Sequence, residues 1–188
     1  MLTIKKVDKK FVDAKKIKHC IKTLFPRGER APFWFLCSCA KKSGIDFLAF
    51  YDSDGASEMG DVFVGYAYII TLNNRTLVFN LCVDYRWHSK GYGSAILEYV
   101  KTAYAPNPID LNIEALTGDC NNAEQRQKRK AFYIKNGFID GGCRCVQLKQ
   151  PYEMLSTDGC FNLGHYKNCV RYFAGRVINC FIKPKEMV

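Results

Sequence analysis

The chain has 188 residues, 48% of them hydrophobic and 14% aromatic, enough to bury one core and most simply read as a single domain over 1–188. Its apolar stretches, such as APFWFLCSCA, fall short of the ~20 residues that span a bilayer, and the opening MLTIKKVDKK lacks an apolar secretory core, so we expect a cytoplasmic protein with no membrane partner. A net charge of +10 asks for an anionic partner without choosing among nucleic acid, anionic lipid and a phosphorylated cofactor.

Leu2–Val7 reads as a short strand, and Phe11, Ala14, Ile17, Ile21 and Leu24 at helical spacing predict a helix that FPRGER breaks. A second helix is predicted over Pro32–Lys42, with proline in its first turn and Gly44 past its end, then a strand over Ile45–Tyr51. DSDGASEMG (Asp52–Gly60) is a loop by composition. Strands over Val62–Leu72 and Leu77–Val83, joined by the hairpin signal NNR, are apolar on both faces, which places them inside a sheet covered by helices on both sides. Behind Gly91, the residues Ala95, Ile96, Tyr99, Val100 and Ala103 form one helical stripe that APNP ends. A strand over Ile109–Leu116 then sets Ile109, Leu111 and Ile113 on one face and Asp110, Asn112 and Glu114 on the other. A basic helix over Ala123–Asn136 stops at Gly137, and a strand-like segment runs from Phe138 to Leu148. Past Pro151 only Leu163, Tyr166, Val170 and Phe173 show helical spacing. This order argues for a mixed sheet in one α/β domain.

Ten cysteines without an export signal read as reduced, mostly buried thiols. Cys37 with Cys39 and Cys143 with Cys145 are too closely spaced for a zinc knuckle, and His19 and His165 have no matching partner motif, so no metal is expected.

The stretch HSKGYGSAIL, His88 to Leu97, places Gly91 and Gly93 at the mouth of a helix, where each glycine costs about 1 kcal/mol against alanine. A dinucleotide fingerprint fails because Ile96 stands where its third glycine belongs, and a nucleotide-phosphate loop fails for want of Gly-Lys-Ser/Thr. What survives is the mechanism both share, in which glycines turn consecutive backbone N–H groups towards an anion at a positive helix end. Lys90 adds charge there. On the basic helix, Arg126, Arg129, Lys130 and Tyr133 fall on one face.

LCVDYRWHSKGYGSAILEYV resembles motif A of the GNAT superfamily of acetyl-CoA-dependent N-acetyltransferases, with His88 in the Gln/Arg place of Gln/Arg-x-x-Gly-x-Gly/Ala. RKAFYIKNGF, Arg129 to Phe138, is similar to the family's downstream Phe-Tyr-x-x-x-Gly-Phe signature. Together the matches cover Val62 to Leu148. Arg126 departs from the family by standing where many members carry an asparagine, while Asn121 and Asn122 lie further upstream. The resemblance implies a GNAT fold: a central mixed, largely antiparallel sheet, splayed at the cofactor site, with helices on both faces. It also implies that residues 151–188 are a family-variable C-terminal extension packed on the domain.

For function, the resemblance implies an acyl-CoA N-acyltransferase that moves acetyl from acetyl-CoA to a primary amine, small molecule or peptide, by direct attack. The cofactor contacts it implies are the backbone around Leu81, Cys82 and Val83, the turn His88, Ser89, Lys90, Gly91, Tyr92, Gly93 and Ser94, and Asn122, Arg126, Arg129, Lys130 and Tyr133. A backbone N–H near Leu81–Val83 would serve the oxyanion. Tyr133 would protonate the leaving thiolate, its alternative being an amphipathic tyrosine at the core's edge. Glu114 is the best-placed carboxylate for deprotonating the amine, with a water chain as the alternative. Segments Phe25–Trp34 and Asp52–Gly60 are the candidate acceptor loops. A monomer or homodimer without metal or nucleic acid is expected. Two rivals stay open: an inactive coenzyme A-binding sensor on the same fold, and a basic nucleic-acid-binding module, which would explain the charge alone.

Overall fold

A computed structural model describes residues 2–53, 61–116, 122–182 and 185–186. The chain forms two units, residues 1–70 with 78–103 and residues 71–77 with 104–188.

In the first unit, β1 (Leu2–Lys6) pairs antiparallel with β2 (Ile45–Asp52), which pairs antiparallel with β3 (Val62–Leu72), and β3 neighbours β4 (Arg75–Val83). Residues Phe63 to Ile70 of β3 are buried without interruption, as two apolar faces require. A T-shaped aromatic cluster forms on this sheet, with Phe47 packing at 5.6 Å on Tyr66 and 5.2 Å on Tyr68. Helix α1 (Ala14–Leu24) buries Ile17, Cys20 and Ile21, one stripe at helical spacing. Helix α2 (Phe33–Cys39) ends three residues before the expected Lys42. Beyond Cys39 the chain tightens into i→i+3 bonds, Lys41 N–H to Ser38 O and Lys42 N–H to Cys39 O. Helix α3 (Tyr92–Ala103) buries Ile96, Leu97 and Val100. Ala95 and Ala103 of the expected stripe are exposed, and Leu97 takes the inner position instead.

In the second unit, the start of β4 pairs parallel with β5 (Ile109–Glu114) at Thr76↔Ile109 and Leu77↔Asp110. Two consecutive left-handed asparagines, Asn73 at φ 48° and Asn74 at φ 59°, make the turn that enters β4. Helix α4 (Ala123–Lys135) follows, then β6 (Ile139–Gln147), β7 (Gln150–Ser156), α5 (Leu163–Ile182, broken at Gly175) and β8 (Lys185–Glu186). The order is β5-β7-β6-β8 with every pairing antiparallel. Strand β7 had no counterpart among the predicted elements. It enters the sheet between β5 and β6, so residues 150–156 are part of the sheet itself. The turn before it uses Leu148 at φ 51° and Lys149 at φ 66°, residues that carry no turn signal, and Pro151 at its second position argues against a strand. The polar face of β5 is covered at its start, where Asp110 is fully buried, while Asn112 and Glu114 are partly exposed. The architecture is mixed α/β with a largely antiparallel sheet, as the resemblance implies.

Candidate active site

In the first unit, the chain leaves β4 beside a close backbone approach. A Cβ on Gly65 would stand 2.2 Å from the Cys82 carbonyl oxygen, so β3 can pass here only as glycine. The β2–β3 register shifts at this point, and Val64 O accepts the Asp84 N–H at 2.9 Å. Asp84 is buried and caps the short turn Tyr85–Trp87, accepting from Arg86 N at 3.1 Å and from its guanidinium at 3.0 and 2.8 Å. Those bonds hold the Asp84 carboxyl below the usual range despite burial. Asp84 therefore shapes the turn, and its charge is spent on Arg86.

The turn that follows carries the predicted anion site. His88 is exposed, and its Nε2 lies 2.9 Å from Val83 O. Ser89 and Gly91 are left-handed at φ 60° and 86°. Gly91 O accepts the first intrahelical bond of α3 from Ala95 N–H at 3.0 Å, so the N–H groups of Tyr92, Gly93 and Ser94 precede it and point out of the helix end. Lys90 Nζ sits 4.5 Å above the Trp87 ring, Trp87 stacks edge-on against Tyr92 at 5.8 Å, and Tyr92 Oη donates to Asp52. A positive helix end whose first N–H groups precede the first intrahelical bond, with a lysine in the same turn, fits a phosphate-bearing group.

In the second unit, the cations of α4 meet carboxylates. Arg126 is buried, donating from Nε to Asn122 Oδ1 at 2.8 Å and from Nη1 to Ala115 O at 2.6 Å, with Nη2 3.6 Å from Glu114 Oε1. Arg129 Nη1 donates to Glu114 Oε2 at 2.8 Å. Lys130 Nζ pairs with Asp140 at 2.7 Å and Glu153 at 2.6 Å. Thus Arg126, Arg129 and Lys130 do share one face, but that face is docked by ion pairs, and Glu114 is a bound carboxylate. Tyr133 is half-buried, edge-on to Phe132 at 5.1 Å and Phe138 at 5.7 Å. Among the described residues its hydroxyl has no hydrogen-bond partner. Burial pushes the phenol up to about 12, with Arg129 pulling the other way, so it keeps its proton at neutral pH.

A model of the acetyltransferase (GNAT) domain matches residues 47–140, half of the chain. The chain belongs to the GNAT family. Among solved structures, this GNAT protein is similar to a GNAT-family acetyltransferase from Bacteroides thetaiotaomicron, at 15% identity and TM-score 0.66 over 94% of this chain and 98% of that one. It is similar to the ribosomal-protein-S18-alanine N-acetyltransferase of Escherichia coli, at 14% identity and TM-score 0.58 over 83% and 92%. An aminoglycoside 6'-N-acetyltransferase complexed with coenzyme A gives 14% identity and TM-score 0.59 over 82% and 95%. No curated protein matches it in sequence. These identities speak for the fold, and the family model assigns the N-acetyltransferase domain.

Of the two segments proposed as acceptor loops, Phe25–Trp34 contributes Phe33 and the exposed Trp34 to an open cavity of about 330 Å³, lined also by Lys9 and Lys18. Asp52 is described, whereas 54–60 and Asn121 lie outside the described residues. Among the described residues, no group of three or more His, Cys, Asp and Glu is placed to hold a metal, and no helix is long and apolar enough to cross a membrane. Sequence reasoning missed Gly65, although a lone glycine inside an apolar strand is itself a signal of a bulge or close approach. It also missed the Asp84–Arg86 cap, which adjacent opposite charges before a turn could have suggested.

Proposed function

We propose that this GNAT protein transfers the acetyl group of acetyl-CoA to a primary amine, with Tyr133 as the general acid. The observation that supports the reading is the Tyr133 hydroxyl, protonated and without a partner among the described residues, on a helix face whose cations Arg126, Arg129 and Lys130 are engaged with carboxylates. Acetyl-CoA supplies the thioester that the amine attacks. The N–H groups of Tyr92, Gly93 and Ser94, with His88, Ser89, Lys90 and Gly91 shaping the turn, hold its pyrophosphate. Backbone at Leu81–Val83 faces the charge that develops on the carbonyl oxygen. Tyr133 delivers its proton to sulfur. A phenol near 12 facing a thiolate whose acid is near ~8.5 would be uphill by about 5 kcal/mol, so transfer accompanies C–S cleavage. Water deprotonates the amine, because both Glu114 oxygens lie against guanidinium groups.

The basic helix gives the nucleic-acid reading little support, since Arg126, Arg129, Lys130 and Lys128 all pair with acidic side chains. The test is single-turnover acetyl transfer over a panel of peptide, polyamine, aminoglycoside and small primary amines. Tyr133→Phe should slow the chemical step by roughly 100- to 10,000-fold while coenzyme A binding stays close to wild type. A Phe variant at the wild-type rate would return Tyr133 to packing. Binding of coenzyme A without turnover on any amine would favour the sensor.

A further inference from the structure

Helix α4 has an unusual attachment. Arg126 is its only fully buried residue, and its apolar packing is confined to the partly buried Phe132 and Tyr133 near its end, so its first turns carry no apolar stripe. Its cations are held by three carboxylates, Glu114 at the end of β5, Asp140 on β6 and Glu153 on β7, whose register partner is Ile113. Glu114 is 13% exposed and receives Arg129 at 2.8 Å, with Arg126 at 3.6 Å. Arg126 also spans from the helix start, at Asn122, to the backbone just past β5, at Ala115. Arg126, Arg129 and Tyr133 lie at i, i+3 and i+7, so the clamped residues and the phenol share one face.

We infer that Glu114 is a positioning residue that fixes α4, and with it the Tyr133 hydroxyl, through the guanidiniums of Arg126 and Arg129. The consequence for Tyr133 rests on the reading of that residue as the acid; the clamp itself does not. Removing the charge of Glu114 leaves a buried guanidinium without its counter-ion, a larger loss than an exposed pair would show. A side chain that only fixes a helix changes how often the acid is aligned and leaves the ionisations that govern the rate untouched.

The experiment compares wild type, Glu114→Gln and Arg129→Gln, each also in a Tyr133→Phe background. Hydrogen exchange of α4 amides in the unliganded protein is the readout independent of activity. Exchange over residues 123–135 should quicken roughly tenfold or more in both single variants while β3 amides hold their protection. Unchanged α4 exchange in both would overturn the clamp. In single-turnover acetyl transfer, Glu114→Gln should lower the rate at every pH without moving its acidic limb, and should add little once Tyr133 is already Phe. Loss of the acidic limb in Glu114→Gln would overturn the inference in favour of a base. A Tyr133→Phe variant at the wild-type rate, with faster α4 exchange in Glu114→Gln, would remove the acid while confirming the clamp.

Discussion

Replacing Gly91 tests the cofactor turn most directly. Its φ of 86° lies in the left-handed region, and a Cβ there would meet nothing within 4 Å. The cost of Gly91→Ala in the free protein is therefore conformational and not steric, about 1–2 kcal/mol for an L-residue in that well. At roughly 2–4 °C per kcal/mol for a chain of this size, the melting temperature should fall by about 2–8 °C. Gly91→Val costs more, since β-branched residues are outliers at positive φ. If the turn escapes by moving to negative φ, the N–H groups of Tyr92, Gly93 and Ser94 no longer converge. Calorimetric coenzyme A affinity should then drop at least about tenfold for Val, equivalent to 1.4 kcal/mol, and less for Ala. Gly28, equally open and with no positive φ, is the control: Gly28→Ala should keep both stability and affinity. A folded Gly91→Val with wild-type melting and wild-type affinity would refute the assignment of this turn to phosphate binding.

Two more outcomes concern packing. Gly65→Ala must push against the Cys82 backbone, which costs about 1–3 kcal/mol, and a thermal melt equal to wild type would show that β3 can step aside. Among the described cysteines, thiol alkylation of the native protein should label Cys160 first, because it is exposed, while Cys82, buried and pushed far above the usual thiol range by its contact with Cys20 and by burial, stays unreacted until denaturant is added. Early labelling of Cys82 would contradict that packing.

The elements that could be read from the chain are those whose burial follows a local rule. Strand β3 is apolar on both faces and is buried on both. Helix α1 buries Ile17 and Ile21 of its predicted stripe, while Leu24 is exposed and Phe11 precedes the helix. Gly91 is legible because a glycine at a helix mouth has few reasons to be there besides a left-handed turn. Strand β7 was hidden because its entrance turn places Leu148 and Lys149 at positive φ, where Asn and Gly normally advertise the bend, and because Pro151 sits near its start. The helical face of Arg126, Arg129, Lys130 and Tyr133 was legible, yet its meaning was not. Spacing shows which residues stand together, but the carboxylates they meet, Glu114, Asp140 and Glu153, come from three strands brought in by the topology. The same holds for Asp110, which alternation assigned to a polar face that the fold then covers.

Asp110 gives the sharpest pH prediction. Its carboxylate is fully buried and receives the Arg75 guanidinium at 2.7 and 3.0 Å, with His165 Nδ1 at 3.5 Å. Arg75 also holds Asp158 at 2.9 Å. Burial alone would raise the Asp110 carboxyl, but the bonds from His165, Arg75 and Ser156 outweigh it and leave it below its ordinary value; Arg75 lowers Asp158 likewise. A carboxyl depressed in the folded state adds stability above its unfolded value, near ~3.9, and loses it as pH falls through the folded value. The melting temperature should therefore drop steeply below about pH 4 and stay nearly flat between about pH 5 and 7 as far as these groups govern it. Asp110→Asn breaks the buried pair, at a cost of about 3–5 kcal/mol near neutral pH, the lower end applying because Asp158 still engages Arg75. The same variant should flatten the acid slope, since one depressed carboxyl is gone. Wild-type melting temperatures from about pH 3 to 7 in Asp110→Asn would show that this cluster contributes no stability, and the covered face of β5 would then have to be held by apolar packing alone.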